Sequence, residues 1–237
     1  MIEFRNVTFA YEKEHPVISD ISFTVKEGES VGLIGANGAG KSTVMKLILG
    51  LLEGEGDILI KGIRCEKKNL SEIRSLCGLV LQNSDDQMFM PTVCDDMMFG
   101  PLNAGMKKEE AEKITDTVLE QLQITYLKNR YNHRISGGEK RMAAIAAVLS
   151  MSPEILLMDE PGSALDPYNR RLVINQIRKL PQTKIITSHD LDLILDTCER
   201  VILIGNGRIQ ADGPAEEILR DKTLLEANRL ELPFRFQ

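Results

Sequence analysis

The sequence predicts an α/β protein: a strand-and-helix core, opened by a small antiparallel sheet and interrupted by a mostly helical insertion. Three observations predict it. A glycine-rich run at 35–43 sits between a short apolar run and a helical periodicity. Near the N-terminus apolar residues alternate with polar ones, as in half-buried strands. From about Asp85 to Ser150 the spacing turns helical, and short apolar runs return from Glu154 onward.

Taken in order, Ile2, Phe4, Val7 and Phe9 alternate, with a slip around Asn6 that predicts a bulge. Ile21, Phe23 and Val25 alternate before a turn at Lys26–Glu29, and Asp57–Ile60 between glycines completes the antiparallel sheet. Val31–Ile34 and Gly78–Leu81 read as buried strands, the second ending at Gln82. Within the insertion, Met106 to Ile124 is charged and periodic, and Gly137 to Leu149 is rich in alanine. Beyond it come a strand at Ile155–Met158, a helix from Pro167, a strand at Lys184–Thr187 and a helix from Asp190. Val201–Ile204 and Arg208–Ala211 form a hairpin about Gly205-Asn206-Gly207, and Pro214 is placed in the first turn of a last helix. The predicted division is 1–84 with 151–237 as the core and 85–150 as the helical part of a single 1–237 unit.

Composition narrows the function. The net charge of −6 argues against a surface that coats nucleic acid, so none is expected as a partner. Four cysteines at 65, 77, 94 and 198 lack any Cys-x-x-Cys spacing, which reads as reduced thiols rather than disulfides or a zinc site. Glu3 and Arg5 break any N-terminal leader, and no stretch approaches the roughly 20 apolar residues of a membrane span. The expectation is a soluble chain that reaches a membrane only through partners.

The glycine-rich run reads Gly35-Ala36-Asn37-Gly38-Ala39-Gly40-Lys41-Ser42-Thr43. Its glycines let the backbone turn tightly and aim N–H groups at phosphate oxygens, and the following helix adds its N-terminus. Lys41 is placed to reach β- and γ-phosphates, and the Ser42 hydroxyl to ligate Mg²⁺. This predicts a nucleoside triphosphate site, with Mg²⁺ as the expected metal ligand. The strand Ile155–Met158 delivers Asp159 to its C-terminal edge, where a carboxylate can hold Mg²⁺ directly or through water. Glu160, one residue on, points elsewhere and can polarise an attacking water.

A second glycine pair opens the helix at 139–150: Ile135-Ser136-Gly137-Gly138-Glu139. With it the chain resembles the ATP-binding-cassette family, whose signature reads Leu-Ser-Gly-Gly-Gln. Ile135 replaces the leucine and Glu139 the glutamine. The resemblance runs along nearly the whole chain. It implies a phosphate-loop core with a mostly parallel sheet, Tyr11 under the adenine, Gln82 as the glutamine that contacts Mg²⁺, Asp166 in Ser163-Ala164-Leu165-Asp166, and His189 against the γ-phosphate. It also implies head-to-tail pairing with a second ATPase subunit, identical or a paralogue. Lys41 and Ser42 of one copy would then clamp ATP against Ser136, Gly137 and Gly138 of the other. Taken singly, Tyr11 reads as a turn residue and His189 as a capping one; only the ordered set makes them site residues.

Residues 82–87, Gln-Asn-Ser-Asp-Asp-Gln, and the later Phe99-Gly100-Pro101-Leu102-Asn103 are similar to the ATPases of energy-coupling-factor importers. The Pro91-Thr92-Val93 and Phe-Gly-Pro-Leu-Asn spelling is nearer the cobalt and nickel branch than the vitamin branch. That branch implies a transmembrane coupling subunit, a substrate-binding membrane subunit and a place on the cytoplasmic face of the cell membrane. No site for the transported ion is expected here. Met88, Phe89, Met90, Met97, Met98 and Phe99 read equally as a groove for a partner helix or as the core of the insertion. Phe234 and Phe236 are expected to pack back on the core. Alternatives are the same ATPase role in a vitamin importer, an ATP-binding-cassette protein outside transport, and a small-molecule phosphotransferase. The last gives no use for Ser136–Gly138 or Asp166.

Overall fold

The computed structural model describes residues 1–12 and 15–237. Two sheets form. β1 (Ile2–Glu12) pairs antiparallel with β2 (His15–Val25) and with β4 (Glu55–Ile60), which also carries the short β5 (Ile63–Arg64). The slip at Asn6 is a bulge: its φ is +50° and the register shifts between Phe4 and Val7. The second sheet runs β10-β9-β3-β8-β7-β6, built from β3 (Ser30–Ile34), β6 (Cys77–Val80), β7 (Ile155–Asp159), β8 (Thr183–Thr187), β9 (Arg200–Gly205) and β10 (Arg208–Pro214). Every pairing in it is parallel except the β9–β10 hairpin, which turns through Asn206 and Gly207 at positive φ. The α/β class with a mostly parallel core sheet is therefore as expected.

Alternation along these strands splits the apolar interior in two. Leu33, Leu157, Ile185 and Ile202 point to the side packed by the antiparallel sheet and by α1 (Lys41–Ile48), while Ile34, Leu156, Ile186 and Val201 point to the helices. Those helices are α4 (Val93–Asn103), α5 (Lys108–Gln121), α6 (Gly137–Leu149), α7 (Pro167–Lys179), α8 (Leu191–Thr197) and α9 (Ala215–Arg220), with the shorter α2 (Leu70–Leu76), α3 (Ser84–Gln87) and α10 (Lys222–Ala227) at the edges. None of the described helices is long and apolar enough to cross a membrane.

Several boundaries differ from the sequence reading, each for a local reason. β6 stops at Val80 because the Leu81 N–H donates to Gln87 Oε1 at 3.0 Å instead of joining the ladder. α6 starts at Gly137, two residues early, because Ser136 and Glu139 form a capping box. Pro214 caps α9 from just outside it, and a further helix, α10, follows. α4, which the sequence reading did not delimit within the helical part, carries Gly100-Pro101 inside it. Pro101 withholds the N–H that Met97 O would accept, and the Ser150 hydroxyl supplies the missing donor at 2.6 Å. The methionine group divides: Met88, Met97 and Met98 are buried, whereas Phe89 and Phe99 stand exposed with their rings edge to face at 4.9 Å. At the C-terminus Phe236 packs against the core beneath Arg220, while Phe234 remains exposed.

Candidate functional site

The parallel strands end level with one another. Leu33 pairs with Thr187, Thr187 with Asp159, and Met158 with Val80. The loops leaving their C-terminal ends, at 35–40, 81–83, 160–166 and 188–190, therefore share one edge of the sheet, where open α/β sheets place ligands. A cleft of about 400 Å³ lies there, lined by Tyr11, Val17, the run Asn37–Thr43, Gln82, Asp159, Glu160 and His189. Residues from six separate parts of the chain meet in it.

The loop after β3 delivers Lys41 through Gly40, whose φ of +104° at the α1 N-cap suits only glycine. Lys41 is 8% exposed, and its Nζ donates to Gly35 O at 2.7 Å and to Ala36 O at 3.2 Å. Burial pushes the ammonium below its ordinary pKa, while Glu160 and Asp159 pull it the other way. One helical position on, Ser42 Oγ donates to Asp159 Oδ2 at 3.2 Å. Thr187 Oγ1 donates to the other carboxylate oxygen, Oδ1, at 2.6 Å, so Asp159 is held between two hydroxyls.

Glu160 follows Asp159 at φ +49°, which turns its side chain off the strand direction and under β8. Its Oε2 accepts from Ser188 Oγ at 3.3 Å and from the His189 N–H at 3.1 Å. Oε1 is buried with no hydrogen-bond partner and lies 3.4 Å from His189 Nε2. A buried carboxylate with one free oxygen facing a polar cleft is equipped to take a hydrogen bond from water or substrate. Tyr11 lies across the cleft mouth, edge-on to Phe9 at 4.9 Å, with its hydroxyl 3.5 Å from Thr43 Oγ1.

The remaining expected residues do not enter this cleft. Ser136, Gly137 and Gly138 open α6, where Ser136 N–H donates to Glu139 Oε2 at 2.8 Å and Ser136 Oγ accepts from Glu139 N–H at 3.3 Å. The hydrogen bond from Ser136 N–H holds the Glu139 carboxyl below the usual range. Asp166 caps α7, accepting from the Tyr168 and Asn169 N–H groups at 2.9 and 3.0 Å and from the Asn169 side-chain amide. Asn169 in turn rests against Gly138, where any Cβ would collide with its amide. The expected site is thus two clusters: one around Lys41, the other joining Ser136–Gly138 to Asp166 through Asn169.

Three supporting residues were not foreseen. Thr187 fixes Asp159, Ser188 fixes Glu160, and Arg141 donates to the carbonyls of Leu81 and Gln82. Thr187 and Ser188 stand directly before His189 in a strand-to-helix turn, which is the one sequence signal that could have found them.

Residues 18–163 match the family described as ABC transporter. This chain belongs to that family, as its ATP-binding ATPase component. A provisionally named ABC transporter ATP-binding protein of Geobacter sulfurreducens is 45% identical over 100% of this chain and 96% of its own. The ATPase is also 39% identical to the energy-coupling factor transporter ATP-binding protein EcfA of Methanocaldococcus jannaschii, covering 98% of this chain and 86% of the relative. Among solved structures, cbiO1 from Clostridium perfringens, part of the ABC transporter complex cbiONQ, superposes with a TM-score of 0.86 at 30% identity, covering 95% of this chain and 93% of its own. The ATPase thus has full-length relatives in both sequence and fold.

Proposed function

We propose that this ATPase powers an importer of the energy-coupling-factor type, with cobalt or nickel ions as its cargo. One observation carries the reading: the segment after Gln82, Asn83-Ser84-Asp85-Asp86-Gln87, has the spelling of that importer group in a chain 39% identical to EcfA of M. jannaschii. The Phe99–Asn103 run supports the metal branch.

The oxygen-rich donor set beside the loop fits Mg²⁺, which is commonly held by one or two protein groups plus nucleotide phosphates. Ser42, Asp159 and Gln82 are the groups assigned to it. When bound, the ion would neutralise phosphate charge and orient the β- and γ-phosphates. Lys41 exchanges its two loop carbonyls for phosphate oxygens, and the N–H groups of 35–43 cradle the chain of phosphates. Glu160 Oε1 orients a water and draws its proton, and His189 Nε2 contacts the γ-phosphate. Ser188 and the His189 backbone hold Glu160 in place for that task.

Ser136, Gly137, Gly138 and Asp166 act on a second copy. They do not line the Lys41 cleft of their own chain, and a head-to-tail pair would bring one cluster over the other, which makes each ATP the joint between two subunits. The exposed pair of Phe89 and Phe99, the second on α4, offers an apolar patch to a helix of the membrane partner. The chain then sits on the cytoplasmic face of the membrane.

The test is a mild-detergent pull-down of the tagged chain from its native membranes, followed by uptake assays with the recovered assembly. Small integral membrane proteins together with ATP-dependent cobalt or nickel uptake are the expected result. Vitamin-binding membrane subunits would move the cargo, and recovery with ribosomes or DNA-repair proteins alone would end the importer reading.

A further inference from the structure

Arg141 is a cation buried without an anion. It is 3% exposed on α6, and no carboxylate among the described residues comes within ion-pair distance of it. Its guanidinium is committed to backbone instead: Nη1 donates to Leu81 O at 2.6 Å and Nη2 to Gln82 O, while Nε is buried with no partner. Burying a charge in this way costs stability, and an apolar side chain would fill the space without that cost. What an apolar side chain cannot do is span two successive carbonyls, as the planar fork of arginine does.

Two more ties join the same short segment to the same helix. Gln87 accepts from the Leu81 N–H and donates to Ala144 O at 2.6 Å, and Lys140 pairs with Asp85. Since β6 ends at Val80, residues 81–87 hang from α6 at Lys140, Arg141 and Ala144 rather than from the sheet. Ser42, at the start of α1, and Asp159, at the end of β7, are by contrast bonded to each other and not to α6. Gln82 is the one residue lining the cleft whose backbone is held by the helix that begins with Ser136-Gly137-Gly138.

We propose that Arg141 is a positioning residue: it makes Gln82 move with α6, so that a shift of α6 against the sheet carries Gln82 toward or away from Ser42 and Asp159. This rests on the reading that Gln82 serves the Mg²⁺. Contact between Ser136–Gly138 and a nucleotide on another copy would then be reported to the metal through one buried guanidinium.

The experiment uses the full chain in four forms: wild type, Arg141→Met, Gln82→Ala and the double variant. Hydrogen exchange, in metal- and nucleotide-free protein, is read on peptides covering 81–88. Arg141→Met should speed exchange there by about tenfold while β7 and β8 keep their protection. In hydrolysis assays, Arg141→Met and Gln82→Ala should each raise the Mg²⁺ concentration for half-maximal rate by about tenfold. The double variant should be no worse than either single one, because both remove the same link. Arg141→Lys, which can keep one carbonyl bond, should retain part of the effect and carries the test if the methionine variant fails to fold. Unchanged exchange at 81–88, or effects that multiply in the double variant, would overturn the proposal and leave the role of Gln82 standing. An unchanged Mg²⁺ requirement in Gln82→Ala would remove that role, and the proposal with it.

Discussion

The carboxylate of Glu160 and the residue His189 are joined at both ends: the His189 N–H donates to Oε2 at 3.1 Å, and His189 Nε2 stands 3.4 Å from Oε1. The contact spans 29 positions of sequence and crosses from the end of β7 to the end of β8. Because the backbone half of it does not depend on the imidazole, Glu160 keeps its orientation whatever His189 does. The imidazole is free to follow the nucleotide.

That geometry separates binding from chemistry. Glu160→Gln preserves shape and can still accept from Ser188 and from the His189 N–H, so ATP binding should persist. Loss of the base should slow hydrolysis by about 10²–10⁴-fold. The ATP-bound pair should then accumulate, visible as a dimer in size-exclusion chromatography with ATP and as a monomer without it. Wild-type turnover in this variant would take the catalytic role from Glu160.

Lys41 predicts a pH dependence. Its folded pKa lies below the unfolded value of 10.5, so between the two the unfolded chain binds more protons. Stability of the free protein should therefore rise with pH through that window, being lowest where both states are charged. Nucleotide phosphates favour the ammonium and raise its pKa, so binding takes up a proton and affinity falls as pH climbs through the free-protein value. Titration calorimetry on the alkaline side, in two buffers of different ionisation enthalpy, should show that uptake. Lys41→Ala should lose most nucleotide affinity. Binding without proton uptake, at any alkaline pH, would place Lys41 away from the phosphates.

Much of this site could be read before folding because its parts are spelled locally. The run Gly35–Thr43, the pair Asp159-Glu160 after an apolar strand, and Ser136-Gly137-Gly138 each carry their chemistry within a few residues. What stayed hidden acts at a distance. Thr187 reaches Asp159 across 28 positions and Arg141 reaches Leu81 across 60, and no local pattern announces either bond. Arg141 did leave a trace, a cation beside the otherwise small and apolar run Met142–Val148. The fold class came from periodicity, while the Ser150 bond that meets the carbonyl left free by Pro101 within α4 spans 53 positions, where no local pattern shows it.

Tyr11 should contribute through its ring and not its hydroxyl. The ring is held by Phe9 at the cleft mouth, whereas the hydroxyl makes only a 3.5 Å contact with Thr43. Tyr11→Phe should bind ATP as the wild type does. Tyr11→Ala should weaken it by about 1–3 kcal/mol, the worth of one base–aromatic stack, and should lose less affinity for inorganic triphosphate. Equal losses for ATP and triphosphate would show that Tyr11 supports the loop rather than the adenine.

The division of the site into two clusters makes the sharpest prediction, because it can be tested by mixing. Lys41→Ala spoils the cleft and leaves Ser136–Gly138 intact. Gly138→Ala does the reverse: its new Cβ meets Asn169, which must leave Asp166, yet the cleft is untouched. Each variant alone should be nearly inactive, and Gly138→Ala should still bind nucleotide as a single chain. In a head-to-tail pair of one of each, both lesions fall on the same nucleotide site, and the other site is assembled from two intact halves. An equal mixture with random pairing should therefore recover about a quarter of wild-type hydrolysis, if the two sites work independently. Sites complete within each chain would give no recovery at any mixing ratio, since every chain carries one lesion.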